Sequence, residues 1–332
     1  MDVFNTVAGH EEIRRHLASA MEGGTVSHAY LFEGIDGVGK TTMAMEFVQA
    51  LLCTEPQVSH MACGHCLSCR TVKTGNHPDV KVLTKGDKAS LGIGEVRSRL
   101  VYDAQIKPYQ SAWKVYIIQD ADTMTVEAQN ALLKTLEEPP SYVLIILLAN
   151  NSQKFLPTIL SRVITLHFQP LPERTIASWL KDHQGLTEER ASLFAGLSRG
   201  SLGTAIMLAS SETFGQMREE LTGHLESLRT SKPSEILKMA DFFNKYKDSQ
   251  DMIFSLMQVW FRDLLILILE KDEQAVLTKD KTDILKKLAL EYDADEVMRL
   301  FSSVERIREA LRLGAQYAFS IDCLLKSMME EL

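Results

Sequence analysis

Up to about Phe168, apolar residues fall in short continuous runs separated by helical patterns. Ala29-Tyr30-Leu31-Phe32, Val80-Lys81-Val82-Leu83, Val115-Tyr116-Ile117-Ile118, Val143 to Ala149 and Ile164 to Phe168 read as strands. Between them, Met43, Phe47, Val48, Leu51 and Leu52 recur at helical spacing over Thr42 to Leu52. Ala128, Leu132 and Leu136 share one helical stripe, which Pro139-Pro140 stops. Strands alternating with helices predict a parallel sheet covered on both faces, with a ligand at the carboxyl ends of its strands. Pro170 and Pro172 bracket a linker, and Gly196, Gly200 and Gly203 punctuate short helices from Glu173 to about Leu208. Beyond Pro233 there is no proline, and Gly314 is the only glycine after Gly223, so the remainder reads as all-helical. The expected division is an α/β domain over 1–168, a small helical domain over 169–210 and an all-α domain over 211–332.

Composition adds bounds. A chain of 332 residues should hold two or three domains, and a hydrophobic fraction of 45% is ample for their cores. No apolar run approaches the length of a membrane span. The richest, Leu264 to Leu269, is flanked by Arg262-Asp263 and Glu270-Lys271-Asp272 and reads as a buried helix. Net charge of −8 argues against a broad nucleic-acid-coating surface, so any DNA contact is expected to be local or shared with partner chains. Met1 to Asn5 has neither a basic start nor an apolar stretch, which predicts a cytoplasmic, reducing setting.

Two motifs carry chemistry. Gly34-Ile35-Asp36-Gly37-Val38-Gly39-Lys40-Thr41 matches G-x-x-x-x-G-K-[ST] and joins a predicted strand to a predicted helix. Gly34, Gly37 and Gly39 let backbone N–H groups turn toward phosphate oxygens at the positive end of the new helix. Lys40 would reach the β- and γ-phosphates of ATP or ADP, and Thr41 would hold Mg²⁺. The bland alternative is a glycine-rich turn with a chance lysine. Cys53, Cys63, Cys66 and Cys69 follow, spaced C-x9-C-x2-C-x2-C. Four thiolates suit a closed tetrahedral Zn²⁺ site of structural type. An iron–sulfur cluster is the rival, although the ferredoxin ending C-x3-C-P is missing. His65 lies within the cluster but finds the shell already full. Cys323, among Leu324, Leu325 and Met328, reads as a small core residue.

The third strand leads into Gln119-Asp120-Ala121-Asp122, where Asp120 stands in the place of a Mg²⁺-ordering carboxylate. Arg162 precedes the last strand, near an expected sheet edge. It is either an ordinary surface arginine or one able to project into a neighbouring subunit.

With these features the chain resembles the clamp-loader subunits of bacterial DNA polymerase III, of the AAA+ class. The residues that carry the likeness are Phe4-x-x-Val7-x-Gly9-His10, Ser27 to Phe32, the P-loop, the four cysteines, Asn130 to Pro140, Ser161-Arg162 and Gly200-Ser201-Leu202. They span the first two expected domains. The resemblance implies an AAA+ P-loop NTPase domain with a five-stranded parallel sheet and a zinc module, a helical lid domain, and an all-α collar domain for oligomerisation. It also implies that Val7, Gly9, Val38, Thr42, Asp120 and Asn150 join the P-loop residues around the nucleotide, and that Arg162 acts as an arginine finger in trans.

Within the family two kinds of subunit compete, the ATP-hydrolysing tau/gamma type and the stationary delta-prime type. The hydrolysing type carries Asp-Glu after the third strand; here the Glu position is Ala121, whose methyl group cannot orient water. Its lid has Gly-Ser-x-Arg; here Gly200-Ser201-Leu202 is followed by Gly203. The Ser-Arg-Cys signature reads Ser161-Arg162-Val163, which keeps the arginine. The sequence ends at Leu332 without tau's long proline-rich extension. These departures point to the delta-prime type, its own ATPase inactive, in a hetero-pentamer with tau/gamma and delta that serves the sliding clamp and primer-template DNA, with no membrane partner. Against them, Lys40, Thr41 and Asp120 are intact, and Asp122 would face the same side as Asp120 on an extended strand. An active tau/gamma-like ATPase is the alternative.

Overall fold

The computed structural model describes residue 4 and residues 6–56 and 61–331. The reading of Met1 to Asn5 falls mostly outside them. Two compact units are present: one extends to Thr175 and takes in Gly200–Gly203, the other comprises Ile176–Arg199 and the chain from Thr204 onward.

The first unit is a five-stranded, all-parallel sheet, β1 (Ala29–Glu33), β2 (Val80–Leu83), β3 (Lys114–Ile118), β4 (Val143–Ala149) and β5 (Ile164–His167), in the order β2-β3-β4-β1-β5. Ala29 is in register with Ile145, Tyr30 with Ile164, and Lys114 with Val143. β3 and β4 are buried along their whole length, as strands covered on both faces must be, and apart from Lys114 at the start of β3 they read as unbroken apolar runs. The edge strands β2 and β5 are more open and more polar. The helices here are α1 (Glu11–Glu22), α2 (Lys40–Leu51), α3 (Leu67–Lys73), α4 (Ile93–Val96), α5 (Val126–Glu137) and α6 (Pro157–Leu160). α5 starts on a Thr125 cap, whose Oγ1 accepts the Ala128 amide, and buries Ala128, Leu132 and Leu136.

In the second unit the helices are α7 (Glu173–Gln184, which begins in the first unit), α8 (Glu188–Leu197), α9 (Leu202–Ser210, whose first two residues belong to the first unit), α10 (Glu212–Ser227), α11 (Pro233–Lys245), α12 (Gln250–Leu269), α13 (Thr282–Leu288), α14 (Ala294–Arg312) and α15 (Tyr317–Glu330). Phe243, Phe254, Phe261, Leu324, Leu325 and Met328 are fully buried among them. Cys323 is half-buried rather than in the core, because it sits on the flank of α15.

Two sequence expectations change here. Lys247–Leu269 is long and apolar enough to cross a bilayer by length and composition, which counting uninterrupted apolar runs had put out of reach. Most of that window is packed inside the unit. Asp263, read as a charged flank, is completely buried. Its carboxylate accepts the amides of Leu277 and Thr278 and the Thr278 hydroxyl, at 2.7–3.1 Å, and pins the loop after α12 to that helix. A buried carboxylate persists only when its lone pairs are filled in this way.

Candidate functional site

The carboxyl ends of β1, β3 and β4 lie side by side in the sheet, so Gly34–Lys40, Asp120 and Asn150 converge. The loop is built as its glycines require. A Cβ on Gly34 would stand 2.5 Å from the Phe168 carbonyl oxygen. Gly37 and Gly39 have φ of 71° and 112°, the left-handed region that favours glycine. Gly39 then caps α2, and its carbonyl accepts the Met43 amide.

Lys40 is buried in the first turn of α2. Its ammonium donates to the Gly34 and Ile35 carbonyls and to Asn150 Oδ1, the last at 2.8 Å. Burial pushes its pKa down, while Asp36, Asp122 and Asp120 push it back up. Thr41 and Thr42 are exposed. Around the loop, Val7 lies 3.6 Å from where a Gly39 Cβ would stand, and Gly9, with φ of 68°, packs on Leu171. The His10 ring pairs with the Val38 carbonyl at 3.0 Å and rests against Phe168, and burial lowers its pKa. His10 entered the sequence reading only as part of a run; its contact with the loop was not foreseen.

Beyond β3 the backbone departs from the extended form assumed for Asp122. The strand ends at Ile118, Asp120 takes φ of 48°, and Ala121–Thr123 form a 3-10 turn. Asp120 stays half-open, 3.8 Å from Lys85, and Ala121 is fully buried. Asp122 is turned inward and held by Lys154 Nζ at 3.1 Å. The segment Gly200–Gly203 returns to the P-loop: the Gly203 amide donates to the Gly37 carbonyl at 2.8 Å, and a Cβ on Gly203 would stand 2.8 Å from Gly37 Cα. The position read as a lost arginine is therefore also a place of backbone contact.

The four cysteines gather as expected. Their Sγ atoms all lie within 4.8 Å of one another, with Cys63 and Cys69 at 3.9 Å. Four thiolates around zinc at about 2.3 Å stand about 3.8 Å apart, so the cluster fits a tetrahedral metal. The Cys63, Cys66 and Cys69 amides point at the sulfurs of Cys53, Cys63 and Cys66. Burial pushes the Cys66 thiol up, but hydrogen bonds from Thr54 and the Cys69 amide outweigh it and bring the thiol down to about 5. Burial raises Cys53 and Cys69. His65 faces solvent and pairs with Glu55 at 3.8 Å; these two and Cys63 lie within 4.8 Å of one another at the exposed side of the cluster. The cluster can hold a metal, and Gln49, donating to the Cys69 carbonyl at 3.0 Å, ties it to α2.

Arg162 follows α6 and precedes edge strand β5. It is one-third exposed. Its guanidinium donates to the Thr158 carbonyl at 2.9 Å and Ser161 Oγ at 3.1 Å, and meets Glu137 Oε1 at 2.9 Å. The partnership with Glu137, the last residue of α5, was not foreseen.

A P-loop between β1 and α2, in a parallel sheet ordered β2-β3-β4-β1-β5 with helical elements after it, defines a nucleotide-binding fold of the AAA+ class. Residues 9–172 match the family described as DNA polymerase III, delta subunit, and residues 212–317 match its C-terminal part. The chain belongs to this DNA polymerase III delta-subunit family. It is 29% identical to the DNA polymerase III subunit delta' of Bacillus subtilis, over 96% of this chain and 95% of the relative. Identity to the delta' subunit of Escherichia coli is also 29%, over 89% of this chain and 86% of the relative. The Escherichia coli tau subunit is 35% identical, but over 62% of this chain and only 32% of its own length.

Proposed function

We propose that this chain is the delta-prime subunit of a DNA polymerase III clamp loader, a stator that assembles with tau/gamma and delta subunits, helps place the sliding clamp on primer-template DNA, and does not itself hydrolyse ATP. The observation that carries this is the end of β3. Ala121 is buried where a water-orienting carboxylate would stand, and Asp122 is engaged by Lys154. The near full-length likeness to delta' subunits supports the same choice over tau.

On this reading ATP or ADP with Mg²⁺ sits on Gly34, Gly37, Val38, Gly39, Lys40, Thr41 and Thr42, with Asp120 toward the ion and Val7, Gly9 and Asn150 around the rest. Lys40 exchanges its carbonyl partners for phosphate oxygens and holds their charge. The cysteines hold Zn²⁺, which supplies structure and no open coordination position. Residues 1–168 act as the nucleotide domain, 169–210 as its lid and 211–332 as the collar. Arg162 serves a neighbouring subunit's site. Its planar fork stabilises charge that builds on the transferring phosphoryl group.

The test is a ring reconstituted with wild-type or Arg162→Ala chain. ATP hydrolysis by the ring should fall by about 10³-fold or more, the scale of a lost arginine finger, with assembly and this chain's own nucleotide binding unchanged. Equal rates in an assembled ring would make Arg162 an ordinary surface residue. Turnover by the isolated chain would favour the tau/gamma-like alternative, for which intact Lys40, Thr41 and Asp120 speak.

A further inference from the structure

Arg162 is not free at the edge of the sheet: its guanidinium is tied back to its own chain, and among the described residues the one charged group that holds it is Glu137. The two residues stand on fixed backbone. Pro139-Pro140 closes α5 just beyond Glu137, and the buried stripe Ala128, Leu132 and Leu136 holds the helix against the sheet. At the other end of α5, Gln129 donates to the Met124 and Lys154 carbonyls and accepts the Leu156 amide, binding the helix to the chain that leads into α6. The Arg162 amide donates to the Ile159 carbonyl at 2.9 Å, which fixes that side as well. The two side chains, by contrast, are part-exposed, about a third for Arg162 and a half for Glu137, and are not packed in place as the backbone is.

They line a pocket of about 580 Å³ together with His28, Ser161 and Ile164, which leaves the guanidinium room to move. In the same pocket wall, the buried His28 Nε2 has no hydrogen-bond partner among the described residues. A guanidinium bound to a carboxylate must give up that bond to grip a phosphate. A phosphate, with more charge and a geometry matched to the same fork, can take it.

We propose that Glu137 is a positioning residue that holds Arg162 in a withdrawn position and releases it only to an anion docked on this edge of the sheet. The inference rests on the reading of Arg162 as a trans-acting arginine. It adds a restraint on hydrolysis before clamp and DNA are in place, and it assigns that restraint to the stator.

The experiment measures ATP hydrolysis by the reconstituted ring, without clamp or primed DNA, using wild-type, Glu137→Gln, Glu137→Ala, Arg162→Ala and the Glu137→Gln/Arg162→Ala double variant. Both Glu137 variants should raise this basal rate about two- to fivefold, the worth of a part-exposed ion pair. The double variant should fall to the level of Arg162→Ala. A merely structural glutamate would lower melting temperature and rate together, so the melting temperature of each isolated variant is measured alongside. Basal rates at or below wild type in both Glu137 variants, while Arg162→Ala still abolishes hydrolysis, overturn the restraint and leave the finger standing. A double variant that keeps the raised rate overturns it too. Full activity in Arg162→Ala removes the finger itself.

Discussion

Gly203 illustrates how one residue settles more than charge. Its amide is bonded to Gly37 and a β-carbon there would collide with the P-loop backbone. Restoring the family arginine by Gly203→Arg should therefore not create an ATPase. It should cost about 1–3 kcal/mol, as overpacking does, because Gly37 or the 200–203 segment must shift, while Ala121 still offers no base. Thermal melting and turnover of the isolated variant check both parts; hydrolysis at ordinary enzyme rates would show that the arginine alone was missing. Residues whose placement is dictated by local backbone or thiol chemistry were legible in the sequence: Gly34, Gly37, Gly39 and Lys40 form the loop between β1 and α2, and the four cysteines come together. Residues whose role depends on a distant partner were not. Nothing near Glu137 in the chain announces Arg162, and Asp263 reads as a solvated flank until the loop at 277–278 folds over it. Asp122 was misplaced for a different reason: an assumed extended strand, where the chain instead turns at Asp120.

At the scale of elements, all five strands were legible because buried parallel strands are written as continuous apolar runs. α3 was not. It has seven residues, too few to be stable alone, and it begins on the Cys66 cap and is held through its sulfurs. Its order should depend on metal. Removing the ion with a chelator should lower the melting temperature and open residues 61–73 to protease, at a cost of several kcal/mol, since metal affinity in such modules is folding energy. Cys69→Ser, which replaces a fully buried thiol of the cluster, should do the same without chelator. Metal-free protein with unchanged melting would show that the thiols pack adequately as a small core of their own.

At the scale of the whole molecule, stability should depend on pH through buried histidines. His77 is almost fully buried, accepts the Asp79 amide on Nδ1 and faces Ser68 and Gln110 with Nε2. Burial lowers its pKa from the ordinary 6.5, against the pull of Asp79; His10 and His224 are lowered in the same way. The folded chain thus resists protons that the unfolded chain accepts. Stability is complete above 6.5 and falls as pH drops from there through the lowered folded values, by at most about 1.4 kcal/mol per pH unit for each histidine. Melting curves between pH 8 and pH 5 should show the decline, and His77→Gln should flatten part of it. A melting temperature constant to pH 5 would contradict this assignment.

The position of β1 has a consequence for how the protein is made. The strand that feeds the P-loop pairs only with β4 and β5, which lie at residues 143–149 and 164–167. A ribosome adding about 5–20 residues per second needs roughly seven to thirty seconds to travel from the first strand to the last. Both edges of Ala29–Glu33 stay unclaimed until β4 is made and one stays so until β5 follows, and non-local pairing of this kind is slow even once the partners arrive. The most chemically important strand of the sheet is therefore also the one that waits longest, and the nascent chain is most exposed to wrong pairing until β5 is synthesised.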